Sequence, residues 1–582
     1  MKNTVKRIHF VLILMMIMIG VLVGRMAQIQ LIDTETFSKE KINLIESSVK
    51  QRTQEMVLND GRGQFTDKNG VPLTVQKERR LVVFPFVKEM TWPKEKVASI
   101  MQHTTATLDE EINTLDKPAV IGETLTSEQA KEINALKIPG VFALNVQKKV
   151  KDPIAEQLIG ITGENKNVMT KRYNKKVNDG ELSINTPIGV SGLQSSFDEF
   201  LIPEQESKLL YHVDRRGGPL FGIEVKYTGA GNPFYPVSVQ TTIDSSIQQK
   251  MESILDDHGL KEGGAVLLDI DTNEVVAMTS RPHINQQRSS GVGNRMLVPQ
   301  VPGSVFKTVI AAAAIDSGID TYKRTFNCDL DIYNKLEKQA KRKGMLNFQD
   351  SFAESCNYTF GTVAKEMVKE NKTIIDEYAN KLGLIDPVGW QGDVFHFSDF
   401  TQFDHEGKGV IWHQNKPSTY SKEIAQTAIG QRDVRVTPLA VANMMATIAR
   451  GGEKKQVRVV DRIQYKNGAT LYTFQPQKLQ GDHIAPYTAI RLRQLLKEVV
   501  DHPKGTGRRF QSLAVQVAGK SGTADIRAVE GKNTNIINKW FAGYFPANHP
   551  KYALVVVDLN TESSTTPTNA VFYDIVNTLY PK

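Results

Sequence analysis

Between Ile8 and Gly24 every residue except His9 is apolar, and Lys2, Lys6 and Arg7 stand immediately before the run. As a helix rising about 1.5 Å per residue, this stretch reaches about 26 Å, close to the hydrocarbon thickness of a bilayer. Met26 to Leu31 can carry it to the interface. A removed secretory signal would end in a small-x-small cleavage pattern, and none closes this run. Basic residues flanking a membrane helix stay on the cytoplasmic side. The sequence therefore predicts a cytoplasmic tail over 1–7 and a single transmembrane anchor over 8–30. Everything after the anchor must fold and act outside the cell membrane, in an oxidising compartment.

The 582 residues leave room beyond the anchor for more than one domain, and the 40% hydrophobic content supplies substantial cores. Seventy-two Lys and Arg against 64 Asp and Glu give a formal charge of +8. That is mildly basic, with no run dense enough to bind nucleic acid. It is compatible with a negatively charged cell envelope. Cys328 and Cys356 form neither a metal signature nor a disulfide framework. They can pair in an oxidising compartment, but the expectation is two small buried thiols. No cofactor and no metal are expected.

A polar, helix-friendly stem is expected from Asp33 to Glu55. The Asn69-Gly70 pair between short apolar stretches predicts a hairpin. Onward to about residue 240, helical stretches mix with short strands. The charged segment Lys166 to Asp179 reads as an exposed loop or helix, and Gly192 to Phe200 as a helix. There are no repeats and no low-complexity linker. Near residue 264 the pattern becomes regular. Ala265–Ile270 and Glu274–Met278 read as strands around the turn Asp271-Thr272-Asn273. Trp540–Phe545 and Tyr552–Val557 repeat that arrangement near the end, and Leu513–Ala518 is strand-like. Between them lie helical patterns such as Val305 to Ile315, stopped near Gly318, and Pro438 to Arg450. Asn569 to Leu579 reads as a closing helix. Strands at both ends with helices between them predict one antiparallel sheet carrying helices on its faces.

Three short polar clusters interrupt this pattern. The first is Pro302-Gly303-Ser304-Val305-Phe306-Lys307, which starts a helix and puts Ser304 and Lys307 three apart on one helical face. A serine hydroxyl becomes a nucleophile when a base takes its proton, and a lysine amine can be that base if burial or a neighbouring cation lowers its pKa. The second is Ser355-Cys356-Asn357, a hydroxyl that can relay a proton beside a carboxamide that can hold a substrate amide. The third is Gly519-Lys520-Ser521-Gly522-Thr523, where small residues leave a strand's backbone open to a peptide. Lys520 adds charge there, and Thr523 a hydroxyl for a carboxylate. Singly, each cluster has an ordinary reading: a cap with a solvated charge, a capped turn, a surface turn.

Taken in order, Ser-x-x-Lys, Ser-x-Asn and Lys-Ser-Gly resemble the set shared by penicillin-binding proteins and serine β-lactamases. Further segments resemble the class B, transpeptidase-only members: Arg62-Gly63 with Asp67-Lys68-Asn69-Gly70, Gly189 to Leu193, Thr242-Ile243-Asp244 with Gln248, Asn294-Arg295, Ile429-Gly430-Gln431 with Thr437-Pro438-Leu439, and Gly505-Thr506. The resemblance implies a multi-domain protein. After the anchor come an α+β pedestal, or dimerisation-like, domain over 31–240 and an α/β-mixed serine transpeptidase domain over 241–582. In the latter an antiparallel sheet is flanked by helices.

It also implies roles. Ser304 would attack the penultimate D-alanine carbonyl of a peptidoglycan stem peptide, Lys307 would take its proton, and Ser355 would pass a proton to the departing D-alanine, with Lys520 tuning the field. Asn357 would hold the donor amide. Thr523, with Ser521 and Gly522 beside it, would bind the terminal carboxylate. The backbone amides of Ser304 and Thr523 would form the oxyanion hole. β-Lactam antibiotics would acylate the same serine, and a membrane glycan polymerase would be a partner.

Three departures stand out. Gln194 takes a position where the family often has glutamate, Arg432 follows Ile429-Gly430-Gln431 where glycine is frequent, and Ser521 replaces a commoner threonine. No second catalytic set precedes Ser304. On the same fold, a D,D-carboxypeptidase, an endopeptidase or a β-lactamase would use water as acceptor, and a non-catalytic envelope scaffold would use the site for binding alone. The sequence leaves open the process served and the acceptor amine.

Overall fold

The computed structural model describes residues 2–34 and, apart from 35–43, 45–46, 49–52, 180, 205, 213–224, 230, 286–290, 320–322, 337–341, 529–534 and 563–566, the remainder of the chain. The expected stem, Asp33 to Glu55, lies mostly outside the described residues. A helix runs over Lys2–Ala27 and continues as a wider turn over Gln28–Ile32. Val5–Ile32 is long and apolar enough to cross a membrane, with mean hydropathy 2.5, and none of it is buried.

The chain divides into two compact units. The smaller comprises Met1–Gly61, Gln76–Lys148 and Gln205–Asn232. One of its two three-stranded sheets has Val75–Val83 between Ala119–Ile121 and Val141–Lys149, and the other has Ser207–His212 between Thr53–Asn59 and Lys226–Thr228. Helices Lys94–Met101, Thr105–Asn113 and Ser127–Ala135 contribute Val97, Leu108 and Ile133 to a core that also holds Leu81 and Val83. The last of these helices begins at a capping box: Thr126 accepts from Gln129 N–H, and the Gln129 side chain accepts from Thr126 N–H. In the same core the Tyr211 ring lies 5.5 Å from that of Phe84 and 4.6 Å from that of Phe86.

The larger unit comprises Arg62–Val75, Lys149–Glu204 and Pro233–Lys582. Its central sheet is antiparallel and built from β1 (Gly263–Asp269), β2 (Val275–Arg281), β3 (Ala518–Ala528), β4 (Asn535–Phe545) and β5 (Tyr552–Glu562), in the order β2-β1-β5-β4-β3. Successive side chains go to opposite faces. Ala265, Leu267, Leu554, Val556 and Phe541 enter one core, and Val266, Leu268, Val555, Val557 and Trp540 the other. Both faces are covered, which is why these strands read as continuous apolar runs.

Six helices of this unit concern the site: α1 (Ser245–Asp257), α2 (Lys307–Asp316), α3 (Asn357–Glu370), α4 (Pro438–Ala449), α5 (Pro486–Asp501) and α6 (Thr568–Leu579). α1 and α6 put Met251, Leu255, Phe572 and Val576 into the first core, and α2, α4 and α5 put Val309, Leu439 and Leu492 into the second. Residues 307–315 of α2 are all buried, as expected of a helix apolar on every side. The sheet with helices on both faces is the architecture expected from the sequence.

Four local expectations are corrected. The Asn69-Gly70 turn forms, with Gly70 at φ 84° and Asp67 accepting from the backbone of Asn69 and Val71. Yet no hairpin ladder follows. Thr66 and Pro72 share one isolated bridge, Pro72 lacks an N–H to extend it, and Gln64–Thr66 instead pairs in parallel with Ser238–Thr241. The helix expected over Gly192–Phe200 breaks at Phe197 into Gly192–Ser196 and Asp198–Leu201. At Leu513–Ala518 the strand starts only at Ala518, because the chain reaches it through the helical turn Arg508–Ser512 and a bend over 513–515. Finally, Cys328 and Cys356 are joined in a disulfide with Cα atoms 5.7 Å apart, where two free thiols were expected. Segments distant in sequence, Thr325–Asn327 and Met345–Asn347, pair and bring the two cysteines together. Linear spacing could not reveal that pairing.

Gln194 is also explained within this unit. Its side-chain carbonyl accepts from Arg62 Nε and Nη2, at 3.2 and 2.8 Å, and Arg62 Nη2 also meets the buried Asp198 carboxylate at 2.8 Å. Tyr173 Oη and Gly189 N–H donate to the same carboxylate at 2.7 Å each. Asp198 supplies the charge that a glutamate at 194 would duplicate.

Candidate active site

Ser304 lies on a single tight turn, Gly303–Phe306, that leads directly into α2. Three glycines press this turn onto the edge strand β3. Gly303 has φ 55°, and a Cβ there would fall 2.2 Å from the Thr523 carbonyl oxygen and 2.9 Å from its nitrogen. A Cβ at Gly522 would meet the Pro302 carbonyl at 2.5 Å. Gly303 N–H donates to the Gly430 carbonyl at 3.0 Å, and a Cβ at Gly430 would strike Gly303 in turn. Trp540 Nε1 donates to the Val301 carbonyl at 3.0 Å and fixes the approach to the turn from β4. The backbones of residues 303–304 and 523 are thereby held side by side, as two converging amide donors require.

Lys307, at the start of α2, is fully buried. Its Nζ donates to Asn357 Oδ1 at 2.7 Å, to the Ser355 carbonyl at 3.0 Å and to Ser355 Oγ at 3.1 Å, and stands 5.6 Å from the centre of the Phe360 ring. Lys520, on β3, is equally buried, and its Nζ donates to Ser355 Oγ at 3.0 Å and to the Ser521 carbonyl at 3.1 Å. Burial pushes the Lys520 ammonium down to about 7, with the nearby Lys343 cation adding to the effect. Ser355 Oγ is thus the junction between two lysines from different elements. Ser355 itself has φ 58°, a conformation costly for a residue with a Cβ. It is held between the turn ending helix Phe348–Ala353 and the first residue of α3, Asn357. Cys356, between Ser355 and Asn357, is tied to Cys328.

The remaining residues lie on β3 or bond to it or its neighbours. Ser521 Oγ is 2.8 Å from Thr506 Oγ1. Lys539 Nζ donates to Thr523 Oγ1 at 3.0 Å, and Gln431 Nε2 reaches the Thr523 carbonyl at 3.4 Å. Arg432 adopts φ 62°, the region glycine favours, and its guanidinium binds Glu423 at 2.6 Å. The structure brings Lys307, Ser355, Asn357 and Lys520 into one hydrogen-bonded cluster, with Ser304, Gly522 and Thr523 joined through the turn and Ser521 at its edge. Sequence reasoning assigned no role to Lys343, whose Nζ donates to the Glu354 carbonyl at 2.8 Å, or to Lys539. A lysine on a neighbouring strand carries no local signal. Only the cross-strand register places it.

Residues 263–577 match the model of the penicillin-binding protein transpeptidase domain, and residues 58–234 that of the penicillin-binding protein dimerisation domain. The chain is 23% identical over 558 residues to the peptidoglycan D,D-transpeptidase FtsI of Escherichia coli, covering 92% of this chain and 84% of that protein. It is 24% identical to the stage V sporulation protein D of Bacillus subtilis, covering 95% and 81%. Among solved structures it resembles a chain of a peptidoglycan synthase complex, with TM-score 0.64, 20% identity and 99% and 98% coverage. It also resembles penicillin-binding protein 2X of Streptococcus thermophilus, with TM-score 0.63, 19% identity and 90% and 79% coverage.

Proposed function

Because the chain belongs to the penicillin-binding protein family, carrying both a transpeptidase and a dimerisation domain, we propose that it is a peptidoglycan D,D-transpeptidase whose nucleophile is Ser304. The observation that carries the site assignment is the Ser355 hydroxyl suspended between Lys307 and Lys520, beside the turn that presents Ser304 to β3.

The first half-reaction joins Ser304 Oγ to the carbonyl carbon of the penultimate D-alanine and breaks the amide bond to the terminal one. Lys307 takes the hydroxyl proton, which travels through Ser355 to the leaving amine. The amides of Ser304 and Thr523 receive the oxyanion. Asn357 binds the donor peptide's amide, while Thr523 and Ser521 bind its terminal carboxylate. The donor backbone lies along β3, which is an edge strand and so has one side free for peptide pairing. In the second half-reaction an amine of a neighbouring stem attacks the acyl carbon, Ser304 Oγ leaves and recovers its proton, and a cross-link results.

We assign residues 1–7 to the cytoplasm, 8–30 to the membrane, 31–240 to the pedestal and 241–582 to the extracytoplasmic catalytic domain. The basic amino-terminal flank supports this orientation. The likeness to a chain of a peptidoglycan synthase complex supports a glycan polymerase as partner.

The test is the intact mass of the detergent-solubilised chain after exposure to benzylpenicillin. One adduct per chain is expected for the wild type and none for Ser304→Ala. An adduct that persists in Ser304→Ala would sink the assignment of the nucleophile, and rapid release of opened drug would make the enzyme a hydrolase.

A further inference from the structure

Helix Phe348–Ala353 stops at Glu354, and the carbonyls of a helix's last turn have no partner within the helix. Lys343 supplies one from outside: its Nζ donates to the Glu354 carbonyl at 2.8 Å. That carbonyl and the Ser355 N–H belong to the same planar peptide unit. The Ser355 N–H donates in turn to the Phe352 carbonyl at 3.2 Å, so the plane is held at both ends. Ser355 turns away from this plane at φ 58° and carries Oγ to 3.1 Å from Lys307 Nζ and 3.0 Å from Lys520 Nζ. Lys343 is itself held. Its N–H and that of Gly344 donate to Asp329 Oδ1 at 2.7 and 3.0 Å, and Cys328 N–H donates to the Gly344 carbonyl at 2.8 Å. Cys328 is bonded to Cys356, the residue after Ser355. A half-buried lysine is thus tied to one side of Ser355 through its backbone and to the other through its side chain.

We propose that Lys343, which lies outside the three motifs, is a positioning residue for acylation: its ammonium fixes the Glu354–Ser355 peptide plane and thereby the Ser355 hydroxyl between Lys307 and Lys520. This rests on the transpeptidase reading above and deepens it. A cation suits the place, since the carboxyl end of a helix carries partial negative charge. The charge also reaches Lys520, whose ammonium is pushed down to about 7 by burial and by Lys343. Of the other groups around Lys520, Lys307 comes from α2 and shares Ser355 Oγ. Helix Phe348–Ala353 presents the Phe352 ring, 5.7 Å from Lys520 Nζ; its Asp350 lies 3.7 Å from His502, and the buried Glu354 follows it. α5 packs on β3 with Arg493 hydrogen-bonded to Tyr544, and Lys539 on β4 is bonded to Thr523. The Ser304 turn carries no charged side chain. Removing the Lys343 cation therefore raises the pH at which Lys520 gives up its proton.

The test measures acylation of the full-length, detergent-solubilised protein by benzylpenicillin from pH 5.5 to 8.5, followed by intact mass. The second-order rate is taken from the time course of the chains that become acylated, so a partly unfolded variant still reports. Lys343→Met is expected to lower the rate at pH 8.5 by about 10-fold, the low end for a hydrogen bond to a charged group. The midpoint of its pH profile should move up by about half a unit to one unit. Lys343→Gln, also uncharged, should move the midpoint the same way. Lys343→Arg keeps the donor and the charge, and should recover most of the rate and the wild-type midpoint. A rate loss with an unmoved midpoint would make Lys343 a purely structural residue, and a moved midpoint at full rate would reduce it to a distant charge. Either result overturns the proposal, as does wild-type behaviour in Lys343→Met. Failure of the transpeptidase reading looks different: wild-type protein that is not acylated, or Ser304→Ala acylated like the wild type, would remove both.

Discussion

At the scale of single residues, the chemistry turns on how many protons surround one oxygen. Ser355 Oγ has two lone pairs, and both lysine Nζ atoms reach it, at 3.1 and 3.0 Å. When both lysines are ammonium ions their N–H groups occupy both lone pairs, and the hydroxyl can accept no proton for relay. Lys520, brought down to about 7 by burial and by Lys343, is the group that changes within the working range. Below about 7 it is charged and the relay is blocked. Above it, Lys520 is neutral and a lone pair opens. The rate of Ser304 acylation is therefore expected to rise with pH through about 7, and Lys520→Arg, whose charge is fixed, should lose that rise. The measurement is the second-order acylation rate from pH 5.5 to 8.5; a fall through the same window would show that Lys520 must be charged and would overturn the relay. Gly303 matters for a steric reason. Gly303→Ala puts a methyl group 2.2 Å from the Thr523 carbonyl at a φ of 55°, so the Ser304 turn must lift from β3. Displacing an oxyanion donor costs about 100-fold or more in rate. Acylation should fall by about that factor, more than the loss of folded protein seen by circular dichroism accounts for. The melting temperature should also drop, since the alanine is held at positive φ against a backbone carbonyl.

Whole elements owe their positions to contacts far apart in sequence. The disulfide closes the segment between Cys328 and Cys356, a sequence separation of 28, and its second cysteine stands between Ser355 and Asn357. In the chain-entropy account a loop of that length is worth about 3–4 kcal/mol of stability. Cys328→Ala with Cys356→Ala should lower the melting temperature of the catalytic unit. It should also slow acylation, since Ser355 is held at φ 58° between that anchor and helix Phe348–Ala353. Differential scanning calorimetry and acylation kinetics on the same preparation would check both, and unchanged kinetics would show that α3 positions Ser355 and Asn357 unaided. Much of this element-level organisation was legible beforehand. β1, β2, β4 and β5 were readable because both faces are buried and their residues are largely aliphatic or aromatic, whereas β3, built of small and polar residues, was expected too early. Helix α4 was readable from the helical pattern over Pro438 to Arg450, and the hydroxyl of Thr437 caps it. What stayed hidden depends on partners elsewhere in the chain: the disulfide, the break at Phe197 where Asp198 is claimed by Arg62, and Lys539, which reaches Thr523 only through strand register. The motif residues of the site were legible because their chemistry is local. The glycines that clamp the turn were visible as letters, but not as contacts.

For the molecule as a whole, the decisive fact is the apolar surface of its first helix. Phe10, Met16, Val21 and Leu22 are each 60% exposed or more, and among the described residues none covers Val5–Ile32 enough to bury any part of it. Apolar area left in water costs about 25 cal/mol per Å², so a helix bare along its whole length requires a bilayer around it. The cluster of Lys307, Ser355, Asn357 and Lys520, in contrast, draws every one of its residues from the larger compact unit, and its two lysines are buried. Anchoring and acylation should therefore separate. The full chain is expected in the membrane fraction after washing with high salt and alkaline carbonate, since the hydrophobic attachment does not depend on charge. A chain lacking residues 1–34 is expected in the soluble fraction, with benzylpenicillin acylation within about twofold of the wild type, because no group of the site has changed its burial. Cross-linking of lipid-bound glycan in reconstituted vesicles should behave differently, since the truncated chain must find its substrate from solution and loses the high effective concentration that a shared membrane provides. If the truncated chain cross-linked vesicle-bound glycan as fast as the full chain, the first helix would serve only to retain the protein. If it failed to acylate although folded, the site would depend on the anchor in a way that its buried lysines and the clamped Ser304 turn do not foreshadow.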